Sequence, residues 1–335
     1  MAIVLFICTA FFICFAFTNG EFDCTSGLID RPTLAVDPLS NTSFSSIQSA
    51  IDSVPSNNKK WISICVKAGV YNEQVKIPPD KPYIYLKGEG IGKTNVVWDG
   101  HDTMLTSSTF ASLADNIVVS GITFVNSYNY PPSKNDNPVK PAVATKISGD
   151  KSAFYECSFL GYQDTLLDDE GRHYFKLCNI EGAIDFIFGG GQSIYEKCTI
   201  SVNAGIKSPY SIGFIAAQAR ASRDDTGGFV FKQCNVTGEG KAFLGRAWKP
   251  YSRVIYFNSF LSNVVIPQGW DAWTYADHES QLTFVEEECQ GSGSDKFNRV
   301  KWEKNLSTEE LHSFTRFSYI DNEGWIRKIP LKIQD

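Results

Sequence analysis

Two aspartates hold the same place in a repeated phrase. Asp164 stands in GYQDTL and Asp185 in EGAIDFIFGGG, each seven residues after a cysteine, Cys157 and Cys178. If those cysteines mark equivalent places on successive turns of a repeating structure, the aspartates do too. Adjacent strands lie about 4.8 Å apart, which makes the two carboxylates close neighbours. At roughly 5 Å and an effective dielectric of about 20, two ionised carboxylates repel by on the order of 3 kcal/mol. That corresponds to about two pKa units, enough to keep one protonated while the other is charged. An acid beside a base or nucleophile is a working pair for hydrolysis. A ladder of aspartates capping turns has the same spacing, and the register alone leaves both readings open.

Neighbouring residues favour chemistry. Asp185 sits among Ile184, Phe186, Ile187 and Phe188, where a charge loses its hydration and needs a partner or a use. LGRAW (244–248) supplies a permanent cation, Arg246, able to grip an ionised aspartate with two donors. Trp248, two residues on, points to the same face of a strand and offers an aromatic face suited to a sugar ring or a core. Gln163, beside Asp164, can donate to a developing oxyanion. Other chemistries lack their signatures. There is no GxSxG elbow, no P-loop and no CxxC pair, and the four histidines are scattered. His173 has no paired nucleophile and reads as a structural side chain, and the glycines at 189–191 read as a tight turn.

The elements that must position these groups follow from the repeat. A polar residue, Cys, a small polar residue and an apolar one recur in YECSF, KLCNI, EKCTI and KQCNV, with degenerate copies in SGITF and FNSFL. The cysteines lie 21, 20 and 36 residues apart. A period near twenty, built of short β-rich pieces between Gly, Asn and Asp, predicts an all-β parallel solenoid with the cysteines stacked inside as small apolar residues. TSFSSIQSAIDSVP places Phe44, Ile47, Ile51 and Val54 at helical spacing, a short helix able to cover the open end. STEELHSF opens with a capping-box spacing, Ser307 to Glu310, and predicts a second short helix.

Residues 1–20 begin with a charge-free apolar run too short to span a bilayer and read as a secretory signal peptide, leaving residues 21–335 as one domain. Seven cysteines remain after its removal, an odd number that leaves at least one thiol unpaired within the chain. Asn41, Asn235 and Asn305 head glycosylation sequons. The formal charge of −6 argues against nucleic acid as a partner.

Taken in order, GVYNE (69–73), GYQDTL (161–166), GAIDFIFG (182–189) and LGRAW (244–248) resemble the signature motifs of plant pectin methylesterases. The resemblance runs from about residue 35 to the C-terminus, without the long inhibitor-like pro-region that many plant relatives carry. It implies a right-handed parallel β-helix that hydrolyses the methyl esters of homogalacturonan in the plant cell wall, with no metal or organic cofactor. It also implies Asp185 as nucleophile, Asp164 as general acid and then base, and Arg246 orienting Asp185. Gln163 then steadies the oxyanion, and Trp248, Phe188 and Arg246 meet the sugar chain. A monomer with no membrane contact after signal cleavage is expected, with a proteinaceous pectinesterase inhibitor as a candidate partner. The chain departs from the pattern at Pro141, which stands where the family's QAVAL-like motif has an oxyanion-donating Gln, and in smaller ways at Leu167 and Ala247. Losing one such donor can cost about a hundredfold to a thousandfold in rate. The alternative is therefore a weakly active or inactive pectin-binding wall protein.

Overall fold

The computed structural model describes residues 32–39, 43–207 and 212–331. The expected signal peptide and the sequon at Asn41 lie outside them. The chain winds as a right-handed parallel β-helix with three sheets of ten, eight and eight strands. Each turn visits the ten-stranded sheet, then one eight-stranded sheet, then the other, and each strand pairs in parallel with its equivalents one turn earlier and later. The second eight-stranded sheet, running from Val75–Ile77 to Trp270–Asp271, carries Asp185 and Arg246, with Asp164 in the bend just before its strand Leu166–Asp168, and is called the groove sheet below.

The repeated phrase is the corner leaving the ten-stranded sheet. A single left-handed residue turns the chain there: Glu156, Leu177, Lys197, Gln233, Asn258 and Glu288 have φ of 49°, 56°, 54°, 55°, 47° and 55°. This conformation is costly for a non-glycine, but it keeps the backbone ladder intact around the corner. The N–H groups of Glu156, Leu177 and Lys197 donate to carbonyls of the next turn at 3.0, 3.1 and 2.9 Å. The following residue points inward. Cys157, Cys178, Cys198 and Cys234 are buried free thiols whose Sγ atoms donate to carbonyls of the preceding turn, for example Cys178 to Phe154 at 3.4 Å. Burial pushes the Cys157, Cys178 and Cys198 thiols well above their ordinary value, so they are inert packing groups. Cys289 extends the column; Gln290 and Gly291, where the phrase has a small polar and an apolar residue, hid this copy from the sequence pattern.

Inside the ten-stranded sheet, Phe154, Phe175, Tyr195, Phe231 and Tyr256 occupy one register position and stack, with centroids 5.3, 4.4, 4.7 and 4.5 Å apart. Beside them His173 is fully buried. Its Nε2–H donates to the Gly149 carbonyl at 3.0 Å, and its Nδ1 is hydrogen-bonded to Asp168 Oδ1 at 2.5 Å, while the Tyr195 hydroxyl donates to the same side chain at 2.6 Å. The structural reading of His173 holds.

Both expected helices form. Helix α1 (Ile47–Ser53) buries Ile47, Ala50 and Ile51 against the first turn, with Ser46 as N-cap. Phe44 is not part of it: its backbone pairs with the first strand, at Val36, and its ring packs on the core. Helix α2 (Thr308–Thr315) has the complete Ser307–Glu310 capping box and lies with the C-terminal segment on the outer face of the ten-stranded sheet. No helix among the described residues is long and apolar enough to cross a membrane.

Candidate active site

Five strands of the groove sheet, with Trp270–Asp271 after them, set out one outward-facing column: Lys146, Leu167, Phe188, Ala217, Arg246 and Asp271. The intervening residues Leu166, Ile187, Ala216 and Trp270 face the core. Period-2 alternation therefore explains the outward Arg246 and Phe188, but not a carboxylate at 185. A bulge explains it. Between the pairs Ile184↔Phe214 and Ile187↔Ala216, strand Ile184–Gly189 holds one residue more than strand Ile212–Gln218. Asp185 takes φ of 48° there, and Asp164 takes 59° one turn earlier. Such a bulge re-aims a side chain that strict alternation would misdirect.

The two aspartates come together as the cysteine register predicts. Gln163 pairs with Ile184, and the Asp164 N–H donates to the Ile184 carbonyl at 2.9 Å, which sets Asp164 and Asp185 on adjacent turns. Their exposures are 6% and 8%. Arg246 reaches back past Ala217 to Asp185. Its Nε donates to Oδ1 at 2.7 Å and its Nη2 donates to Oδ2. Asp164 has no such cation. Burial first, then the charge of Asp185, holds its carboxyl well above the ordinary carboxylate range, against a smaller opposing pull from Arg246. Burial also raises Asp185, and Asp271 adds to this, while Arg246 opposes it through its hydrogen bonds and its charge. Arg246 thus limits the rise rather than cancelling it. Of the pair, Asp164 is pushed up further, and only Asp185 has the arginine's hydrogen bonds to favour its charged form.

Gln163 is half-buried beside the pair, and its amide has no side-chain partner among the described residues, so it is free to donate to a bound group. Pro141 precedes Ala142, whose N–H donates to the Gln163 carbonyl at 3.1 Å. Proline therefore stands on the turn next to the carboxylates and offers no donor there. Phe188 is nearly buried, packed with Val143, Leu167 and Ala217 beneath the half-exposed Trp248. Trp248 presents the accessible face, and Phe188 is its support. Trp248 also edges an open cavity of about 570 Å³ bordered by Asp169, Glu170, Arg172 and Asp225, which lies beside the carboxylate pair rather than on it.

Sequence reasoning missed Phe214 and Trp273. Their rings cover the Arg246 guanidinium, with centroids 4.1 and 3.8 Å from its central carbon. The aromatic cluster in GWDAWTY (269–275) was the available signal, but only the fold brings it over Arg246.

The chain as a whole is similar to known proteins of one family. The family model Pectinesterase matches residues 33–323. "Probable pectinesterase 29" of Arabidopsis thaliana is 52% identical over 298 residues, covering 88% of this chain and 89% of that protein. "Probable pectinesterase 55" of the same plant is 51% identical over 300 residues, with 89% and 91% covered. Among solved structures, the pectin methylesterase from carrot superposes with a TM-score of 0.82 at 28% identity, over 90% of this chain and 97% of its own.

Proposed function

The chain belongs to the pectinesterase family of carboxylic ester hydrolases, and on that premise we propose that it removes methyl groups from homogalacturonan with Asp185 as nucleophile and Asp164 as proton donor. The observation that carries this reading is the asymmetry of the pair: two buried carboxylates on adjacent turns, only one of them gripped by an arginine.

An Asp185 oxygen attacks the ester carbonyl carbon, and the electron pair of the carbonyl moves to its oxygen. Gln163 donates to that oxyanion. The tetrahedral centre collapses, and the departing methoxide takes the Asp164 proton and leaves as methanol. A mixed anhydride joins Asp185 to the uronate. Asp164, now a carboxylate, accepts a proton from water as the hydroxide adds to the uronyl carbon. The second collapse frees the uronic acid and returns Asp185 to its carboxylate. Arg246 steadies Asp185 each time it is charged, and Trp248 with Phe188 beneath it seats a sugar ring. The apolar residues 1–20 support export to the cell wall, and exposed Asn235 and Asn305 support glycosylation there.

A second reading has one observation behind it, Pro141. A protein without the second oxyanion donor could hold pectin and turn it over poorly. Purified mature protein on highly methylated pectin separates the two. Methanol release without chain shortening supports the esterase. Binding without release, with release restored by Pro141→Gln, supports the binder. In the esterase case Pro141→Gln raises kcat, by up to about a hundredfold if the missing donor is rate-limiting.

A further inference from the structure

Arg246 and Asp185 are on strands two turns apart, a span of about 10 Å. The side chain of Arg246 crosses it past Ala217, its register neighbour on the intervening strand and a residue too small to block the way. A long side chain laid across such a gap loses much rotamer freedom, and backbone alone does not hold its plane edge-on to a carboxylate. The aromatic rings do. Phe214 lies on one turn, paired with Ile184 immediately before the nucleophile. Trp273 folds over from the opposite end of the groove.

Trp273 is placed at a conformational cost. Its φ is 50°, a left-handed conformation that a bulky residue rarely adopts. It is also 43% exposed, so it is not there to fill the core. Its N–H donates to Asp271 Oδ1 at 2.8 Å, and Asp271 is the register neighbour of Arg246. One residue thus anchors the turn that returns the indole onto the guanidinium.

We propose that Phe214 and Trp273 are positioning residues for the esterase reaction, clamping the Arg246 guanidinium edge-on to Asp185, with Ala217 as the gap through which it reaches. The inference rests on the reading of Asp185 as nucleophile. The charged groups facing Asp185 are Asp164 from the preceding turn, Arg246 from two turns on, and Asp271 beyond it. With the clamp open, the guanidinium is hydrated and mobile, and both Asp185 and Asp164 lose part of its positive potential. Each then holds its proton to higher pH. The acid limb of the rate profile reports ionisation of Asp185 and the alkaline limb reports deprotonation of Asp164, so both limbs move upward together.

The test is the pH profile of kcat/KM for methanol release by wild type, Trp273→Ala, Trp273→Phe and Ala217→Leu, each checked for its melting temperature. Trp273→Ala is expected to lower kcat by between about tenfold and a hundredfold and to shift both limbs upward, with Trp273→Phe restoring most of each. Ala217→Leu, which leaves Trp273 in place but fills the gap, is expected to shift the limbs in the same direction. A Trp273→Ala variant with raised KM, unchanged kcat and unmoved limbs would make Trp273 a sugar platform and overturn the clamp. Silent wild-type protein sinks the esterase reading and the clamp with it, whereas active wild type with unmoved limbs in both variants sinks the clamp alone.

Discussion

Asp164 and Asp185 share a side chain and nearly the same burial, and they differ chiefly in one neighbour. The raised Asp164 carboxyl has a consequence for stability. A carboxyl whose folded-state pKa is raised stabilises the fold fully only below its ordinary value, and that contribution is lost as pH climbs through the folded-state value. Asp164→Asn removes the liability along with the proposed proton donor. We expect it to cut methanol release by about a hundredfold to ten-thousandfold while raising the melting temperature by on the order of a degree or two at pH 7. The gap should close toward pH 4, and thermal melts across pH measure it. A melting temperature that falls at pH 7 would show that the Asp164 carboxylate stabilises the fold instead. At this scale the sequence was informative where spacing repeats: the shared offset from Cys157 and Cys178 placed the two aspartates side by side. It was uninformative where a residue arrives from outside the repeat, as Trp273 does at the start of the 3-10 turn Trp273–Tyr275, because no period ties that turn to Arg246.

Among the elements, the bulged strand Ile184–Gly189 and helix α1 decide how the site and its end of the molecule are held. The bulge could not be read from composition, since IDFIF fits a plain buried strand until its neighbour Ile212–Gln218 is seen to be one residue shorter over the same span. Helix α1 has seven residues, too few to persist alone in water. Glu73, from the GVYNE motif, stabilises it from outside: its two carboxylate oxygens accept the N–H groups of Ile47 and Gln48 at 2.8 and 3.0 Å. Gln48 in turn pairs through its amide with the backbone of Lys76, at 2.7 and 3.1 Å, and so covers the edge strand of the groove sheet. Glu73→Ala should cost about 1–2 kcal/mol with kcat unchanged, read by denaturant unfolding and by methanol release. A fall in kcat at unchanged stability would assign that motif residue to the chemistry instead.

For the whole molecule, the solenoid follows from the repeat because each turn leaves its apolar residues exposed until the next turn covers them. The ends are where that logic stops, and apart from the two helices the sequence said little there. At the C-terminal end Arg299 binds Glu286 through Nε at 2.6 Å and Nη2 at 2.8 Å and also donates to the carbonyls of Ile266, Pro267 and Gly293. This closing hub joins segments that share no sequence pattern. The three-sheet frame places Asp164, Asp185 and Arg246, distant along the chain, within one contact network, and we propose that this network makes Asp185 a nucleophile. Methanol release from highly methylated pectin, compared between wild type and Asp185→Ala at equal folded concentration, tests it most directly. Release by wild type and a loss of at least about a thousandfold in the variant are expected. An Asp185→Ala protein that releases methanol at a wild-type rate would contradict it.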